Sequence, residues 1–197
     1  MKPKVYVEGG GNSSLDRECR QGFSEFFKKM GLQVQFIACG PRDKAFKRFK
    51  NAVEKSDGTW PILLVDSEEV VTTPTKREHL INRDMTWQFL DSVEERQVQL
   101  MTTCMESWLV CDKQTLREYF GQCFTETSLP VISNIEDKDH HEVIKALEAA
   151  TRDCGKDKGY SKGQHSFKIL AKLNPQNLMG LKYFDEAHKA IKGHTPT

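Results

Sequence analysis

The chain has 197 residues, carries 29 Lys and Arg against 28 Asp and Glu, and is 38% hydrophobic by composition. That length suits one domain with a substantial core, and the composition excludes wholesale disorder and collagen-like repeats. A mean hydropathy of −0.59 and no apolar run near ~18 residues argue against a membrane-spanning chain, and a net charge of +1 argues against a binder that works by bulk charge.

Residues 4–8 read as a short β-strand that ends in Glu8 and the triplet Gly9-Gly10-Gly11. Ser13 or Ser14 is then positioned to cap a helix whose inner face carries Leu15, Cys19, Phe23, Phe26, Phe27 and Met30, and Gly31 stops it. A second strand is expected over 33–39, a turn over 40–42, and a second helix over 43–55 with Ala45, Phe46, Phe49 and Val53 inward. Residues 61–65 form a continuous apolar run, as a central strand buried on both faces requires, and end in Asp66-Ser67-Glu68. The order β-α-β-α-β with short linkers specifies a parallel sheet covered by helices on both faces.

Residues 69–96 show no clear period and read as a long functional or mobile loop. A fourth strand is expected at 97–102, a helix at 103–120, loop at 125–139 and a helix at 141–152. A glycine- and lysine-rich stretch over 152–164 leads into two C-terminal helical segments separated at Asn174-Pro175, an extension spanning about 166–192. No repeat or interdomain linker is apparent, so residues 1–197 read as one domain of α/β class with about four mainly parallel strands.

In an open parallel sheet, ligands gather beyond the carboxyl ends of the strands. Here those ends carry Glu8, Asp66 and Glu68. Crowded carboxylates repel one another unless a cation sits among them, and an all-oxygen set suits Mg²⁺ or Mn²⁺ rather than zinc. The competing explanation is that each acid is a solvated loop residue.

Glu106 is equally suited to capping, through the spacing Thr103-x-x-Glu106, or to serving as a fourth carboxylate. The loop carrying Lys156, Lys158, Lys162 and Lys168 can reach a phosphate, as can Arg42 and Lys44 with Lys47, Arg48 and Lys50 on the second helix. A solvated basic surface is the plain alternative for both groups. His140 and His141 precede a helix and receive no role.

Gly9-Gly10-Gly11 between strand and helix also resembles half of a dinucleotide fingerprint, with Arg42 suited to a 2′-phosphate. An NADP-binding oxidoreductase is therefore a further alternative. Against it, Ser14 stands at the third glycine position and Glu8 faces the site of a pyrophosphate.

The six cysteines show no C-x-x-C spacing, the closest pair being Cys104 and Cys111. They read as reduced, buried thiols of a cytoplasmic protein, an expectation shared by an N-terminus without a signal-peptide apolar region.

Taken together, Val5-Tyr-Val-Glu8-Gly-Gly-Gly11, Leu64-Val-Asp66-Ser-Glu68, Cys104-Met-Glu106-Ser-Trp108 and Tyr160-Ser-Lys162-Gly-Gln-His165-Ser-Phe167 resemble a Toprim-type catalytic core. More narrowly, with Arg17-Glu-Cys-Arg20-x-Gly-Phe23 and Cys39-Gly-Pro-Arg42, they resemble a small bacterial Toprim-like family of unassigned function. That family is found beside ABC-like ATPases in phage-defence loci and is related to the overcoming-lysogenization-defect nucleases. The likeness runs from about residue 4 to 170.

The resemblance implies Mg²⁺- or Mn²⁺-dependent cleavage of DNA or tRNA under the control of a partner ATPase. In it Glu8 is a general acid/base or metal ligand, Asp66 and Glu68 are metal ligands, and Lys162 stabilises the transition state. Glu106 recurs without an assigned role. Two departures are visible: Asn12 replaces a second acid four residues after Glu8, and the Asp-x-Asp pair is Asp66-x-Glu68. A catalytically weak subunit that binds or regulates the ATPase is the alternative implied by these departures. Homo-oligomerisation is compatible with either reading.

Overall fold

The computed structural model describes residues 2–155 and 159–194. Among them, four strands form one all-parallel sheet in the order β2-β1-β3-β4: β1 Lys2–Val7, β2 Gln35–Ala38, β3 Thr59–Asp66 and β4 Val98–Met101. Between and after them come helices α1 Ser13–Lys28, α2 Arg42–Lys55, α3 Lys76–Arg83, α4 Met105–Val110 and α5 Lys113–Phe120. Helices α6 His140–Thr151, α7 Lys162–Leu170 and α8 Lys182–Lys192 complete the order. This is the α/β architecture expected from the sequence, consistent with a Toprim-like arrangement.

Strand alternation sorts the core into two layers. Val5, Val7, Ile62 and Leu64 face α1, α4 and the C-terminal helices, packing with Phe23, Phe26, Trp108, Phe167 and Phe184. Tyr6, Leu63, Val65 and Leu100 face the opposite way, onto Phe46 and Phe49 of α2 and Leu80 of α3. Both faces of β3 are thus covered, which is why it lacks polar alternation.

The chain leaves β1 to form β2 on one side and then returns to form β3 on the other. Sheet growth therefore reverses direction between β1 and β3, and the two connections diverge above their carboxyl ends. A crevice opens at such a point. Val7 pairs with Leu64, so Glu8 and Asp66 emerge beside each other at its floor.

Several local expectations change. Asn12, not a serine, caps α1: its side chain accepts from Ser14 N at 3.1 Å and Leu15 N at 3.0 Å. The departure at Asn12 thus has a folding role. The 69–96 segment contains α3, opened by a capping box between Thr75 and Glu78. The helix expected over 103–120 is two helices, because Asp112 caps α5 by accepting from Thr115 N at 3.1 Å. Short 3₁₀ turns at Glu126–Ser128 and Ile132–Asp137 occupy the expected loop over 125–139.

The cysteine expectation is corrected for one pair. Cys123 and Cys154 are joined by a disulfide, which ties the chain after α5 to the end of α6. Sequence spacing did not reveal it because 31 positions separate the two. Cys19, Cys39, Cys104 and Cys111 are buried free thiols. Burial pushes the Cys19 thiol up to about 12 and the Cys39 thiol up to about 11, so neither is a poised nucleophile.

Candidate metal centre

Glu8, Asp66 and Glu68 meet at the crevice, with one carboxylate oxygen from each lying within 4.8 Å of the others. Backbone geometry brings them together. Glu8 N donates to Leu64 O at 3.0 Å, extending the β1–β3 pairing by one residue, and Glu8 Oε2 accepts from Asp66 N at 3.1 Å. Glu68 N donates to Thr103 O at 2.8 Å, which ties its loop to the chain leaving β4. Glu68 also has φ 65°, the left-handed region that a non-glycine residue adopts at a cost, and a cost held in place by surrounding bonds is typical of functional loops. Although its arm is longer than aspartate, its carboxylate reaches the group.

Asp66 is the most enclosed of the three, with its side chain 4% exposed. Its Oδ1 accepts from Met105 N, at the start of α4, at 2.9 Å, and its Oδ2 lies 3.3 Å from Lys162 Nζ. Burial pushes its carboxyl well above the usual carboxylate range; Lys162 opposes this, while Glu8, Glu106 and Glu68 add to it. Glu8 is also raised, first by burial, with Arg42 acting in the opposite direction. A divalent cation relieves this type of frustration by replacing repulsion with attraction.

Lys162, the first residue of α7, bridges Asp66 and Glu106, its Nζ lying 3.5 Å from Glu106 Oε2. Burial alone works against its charge, but Asp66 and Glu106 outweigh it and raise the lysine above its ordinary range. The ammonium is therefore a fixed positive charge and not a proton shuttle. Glu106 is fully buried and accepts from Tyr160 OH at 2.7 Å through Oε1. Its capping explanation fails: Cys104 is the N-cap of α4, and Thr103 Oγ1 donates to Lys138 O at 2.7 Å.

Three side chains to which the sequence reading gave no role complete the surroundings. His140 Nε2 lies 3.6 Å from Glu68 Oε2, and Arg83 from α3 lies 3.8 Å from the same atom. Tyr160 anchors Glu106. The capping-box spacing Thr75-x-x-Glu78 is a signal that could have found the helix that delivers Arg83, whereas nothing local in His140-His141 points to Glu68.

The basic residues proposed to meet a phosphate separate into different settings. Arg42 turns to Asp84 at 3.0 Å, with its guanidinium 5.3 Å from the centre of the Trp87 ring. Its side chain is mostly enclosed beside Asp84, and its charge also acts on Glu8. Lys44 is exposed and lines the crevice, while Lys168 lies 3.8 Å from Glu18 on the outer side of α7. Arg48 donates to Ala38 O at 2.9 Å, and Lys156 and Lys158 lie outside the described residues.

Two of the loop's three glycine amides are already committed within the protein. Gly9 N donates to Gly40 O at 2.9 Å, Gly40 N returns to Gly9 O at 2.8 Å, and Gly11 N donates to Asp16 Oδ1 at 2.8 Å. With Arg42 also engaged, the loop gives the NADP alternative little support. Its glycines answer an internal need: a Cβ on Gly10, at φ +93°, would stand 2.1 Å from Asp16 Oδ1.

Fold and site together define a parallel α/β protein with a carboxylate cluster and a half-exposed, ion-paired lysine at its topological switch point. The chain belongs to the family described as "Domain of unknown function (DUF4276)", whose model matches residues 7–191 and thus spans every residue of the cluster. No curated protein and no solved structure matches it.

Proposed function

We propose that the chain is a divalent-metal-dependent endonuclease of Toprim type that cleaves phosphodiester bonds in DNA or tRNA. The observation that carries this reading is the convergence of Glu8, Asp66 and Glu68 beside a lysine held between Asp66 and the buried Glu106. The donor set fits an oxygen-preferring cation: three carboxylates converge, and the most buried is strongly disfavoured as a free anion. When bound there, Mg²⁺ or Mn²⁺ supplies Lewis acidity to a phosphate and lowers the pKa of a water.

The chain's own residues supply the rest. Glu8, Asp66 and Glu68 hold the cation, and Met105 N fixes the Asp66 carboxylate through Oδ1. Lys162 places a permanent positive charge at the cluster, where it offsets negative charge developing on the phosphate or leaving oxygen. Glu106 orients that ammonium and is itself oriented by Tyr160.

Among the described residues no helix is long and apolar enough to cross a membrane. A cytoplasmic site of action and control by an ABC-like ATPase belong to the same proposal. The protein is to be incubated with DNA and with tRNA in Mg²⁺ or Mn²⁺, with and without that ATPase. Cleavage that disappears in Glu8→Gln and Asp66→Asn supports the reading, whereas cleavage unaffected by both overturns it. ATPase binding without cleavage under any of these conditions would favour the regulatory-subunit alternative, which Asn12 in place of a second acid four residues after Glu8 also suits.

A further inference from the structure

The crevice is larger and more apolar than a metal and a phosphate require. A cavity of about 470 Å³ extends from Glu8, Asp66 and Lys162 to a wall of Leu15, Met101, Met105 and Phe167. Small-ligand sites occupy roughly 300–1,000 Å³ and pair an apolar surface with a few placed polar groups. Met101, Met105 and Phe167 are already mostly buried and form the floor, whereas Leu15 in the first turn of α1 is half-buried at the side.

A phosphodiester and its sugar gain little from such a wall. A flat apolar body attached to the phosphate gains by leaving water. Lys44 and Lys162 line the same cavity, so positive charge accompanies the apolar wall. The joint chemistry, an anionic phosphate close to a planar apolar group, is that of a nucleotide.

We infer that the cavity receives one unpaired nucleobase of the strand whose phosphate lies at the carboxylate cluster. This rests on the nuclease reading and adds its substrate class: single-stranded, looped or extruded nucleotides instead of intact duplex. A base within a duplex is stacked and paired, and extracting it costs a few kcal/mol. Among the described residues, the wall's Leu15, Met101, Met105 and Phe167 carry no amide, hydroxyl or charged group to read a base edge. Ser166, the hydroxyl-bearing residue of the lining, donates its hydroxyl to Lys162 O. The subsite therefore accepts purines and pyrimidines alike, as apolar base platforms do.

The test compares calorimetric binding of AMP, CMP and ribose 5-phosphate in the presence of Mn²⁺, with Mn²⁺ binding followed separately by its EPR signal. Both nucleotides should bind at least about tenfold more tightly than the sugar phosphate. Leu15→Gln should remove most of that advantage while leaving Mn²⁺ and ribose 5-phosphate binding unchanged. Phe167→Leu, which keeps an apolar side chain at a packed position, should reduce it less.

A fluorescent oligonucleotide should likewise bind more tightly single-stranded than in duplex form. Equal affinity for nucleotides and ribose 5-phosphate would overturn the inference, as would an undiminished preference in Leu15→Gln. Failure of the metal reading appears separately, as absence of Mn²⁺ binding, and leaves the nucleotide comparison decisive for the cavity.

Discussion

Replacing Lys162 with methionine keeps an unbranched side chain and removes the cation between Asp66 and Glu106. The two carboxylates are enclosed, with side chains 4% and 0% exposed, whereas Lys162 is 56% exposed. Breaking a fully buried ion pair costs about 3–5 kcal/mol. Water already screens this ammonium, so the cost here falls to about 1–2 kcal/mol.

The pH dependence follows from the direction of each shift. Lys162 is raised above its ordinary 10.5, so it remains charged from acid to mildly alkaline solution. Asp66 is raised by burial, and losing the nearby ammonium raises it further. A group raised in the folded state contributes its stability at low pH and loses it as pH rises through the folded value. The variant's deficit should therefore be small at about pH 5 and largest at about pH 8.

Urea denaturation of metal-free protein at both values measures it. Glu106→Gln added to Lys162→Met should recover part of the deficit at the higher pH, because one buried charge disappears while the acceptor for Tyr160 remains. An equal loss at both pH values would refute the reasoning and assign the effect to lost packing of the lysine stem.

Glu8→Gln and Asp66→Asn should each lower cleavage by at least about a hundredfold with the melting transition preserved. Mn²⁺ at a hundred times its Kd should stabilise the native protein by about 2.7 kcal/mol, read by denaturation, and the Glu8→Gln/Asp66→Asn pair should abolish the gain. His140→Ala should weaken Mn²⁺ binding more than Mg²⁺ binding, since an imidazole nitrogen 3.6 Å from Glu68 is a ligand type that Mn²⁺ accepts more readily; equal losses in calorimetry would place His140 outside the metal's reach. The unfolded, unreduced protein should titrate four thiols and the reduced protein six, and reduction of the 31-residue cross-link should cost about 3–4 kcal/mol in denaturation.

The parts of the fold legible in the sequence are those where a single burial pattern dominates. Residues 61–65 announce a central strand because both sides are covered, and α1 shows its inner face because only one side is. Helix α3 escaped because just His79 and Leu80 of its apolar-facing side are buried alongside Lys76, too few for a period to emerge. The three acids were legible because each lies at or just beyond the end of a strand. Glu106 remained ambiguous because its partner Tyr160 lies 54 positions away, a pairing that no local pattern encodes. His140 was invisible for the same reason, and the Cys123–Cys154 bond needed knowledge of how α6 packs beside the turn after α5.

The distribution of the centre along the chain also gives its assembly a time order. Glu8 and Asp66 belong to the first three strands, whereas Lys162 arrives near the end of the family segment, on a helix that packs against α1. At translation speeds of about 5–20 residues per second, roughly 8–30 seconds separate the first carboxylate from its lysine. Once Asp66 and Glu68 have been added, the three acids precede their counter-charge by almost a hundred residues of synthesis. Placing the last component far downstream leaves the carboxylate cluster without its lysine until synthesis of the family segment is largely complete.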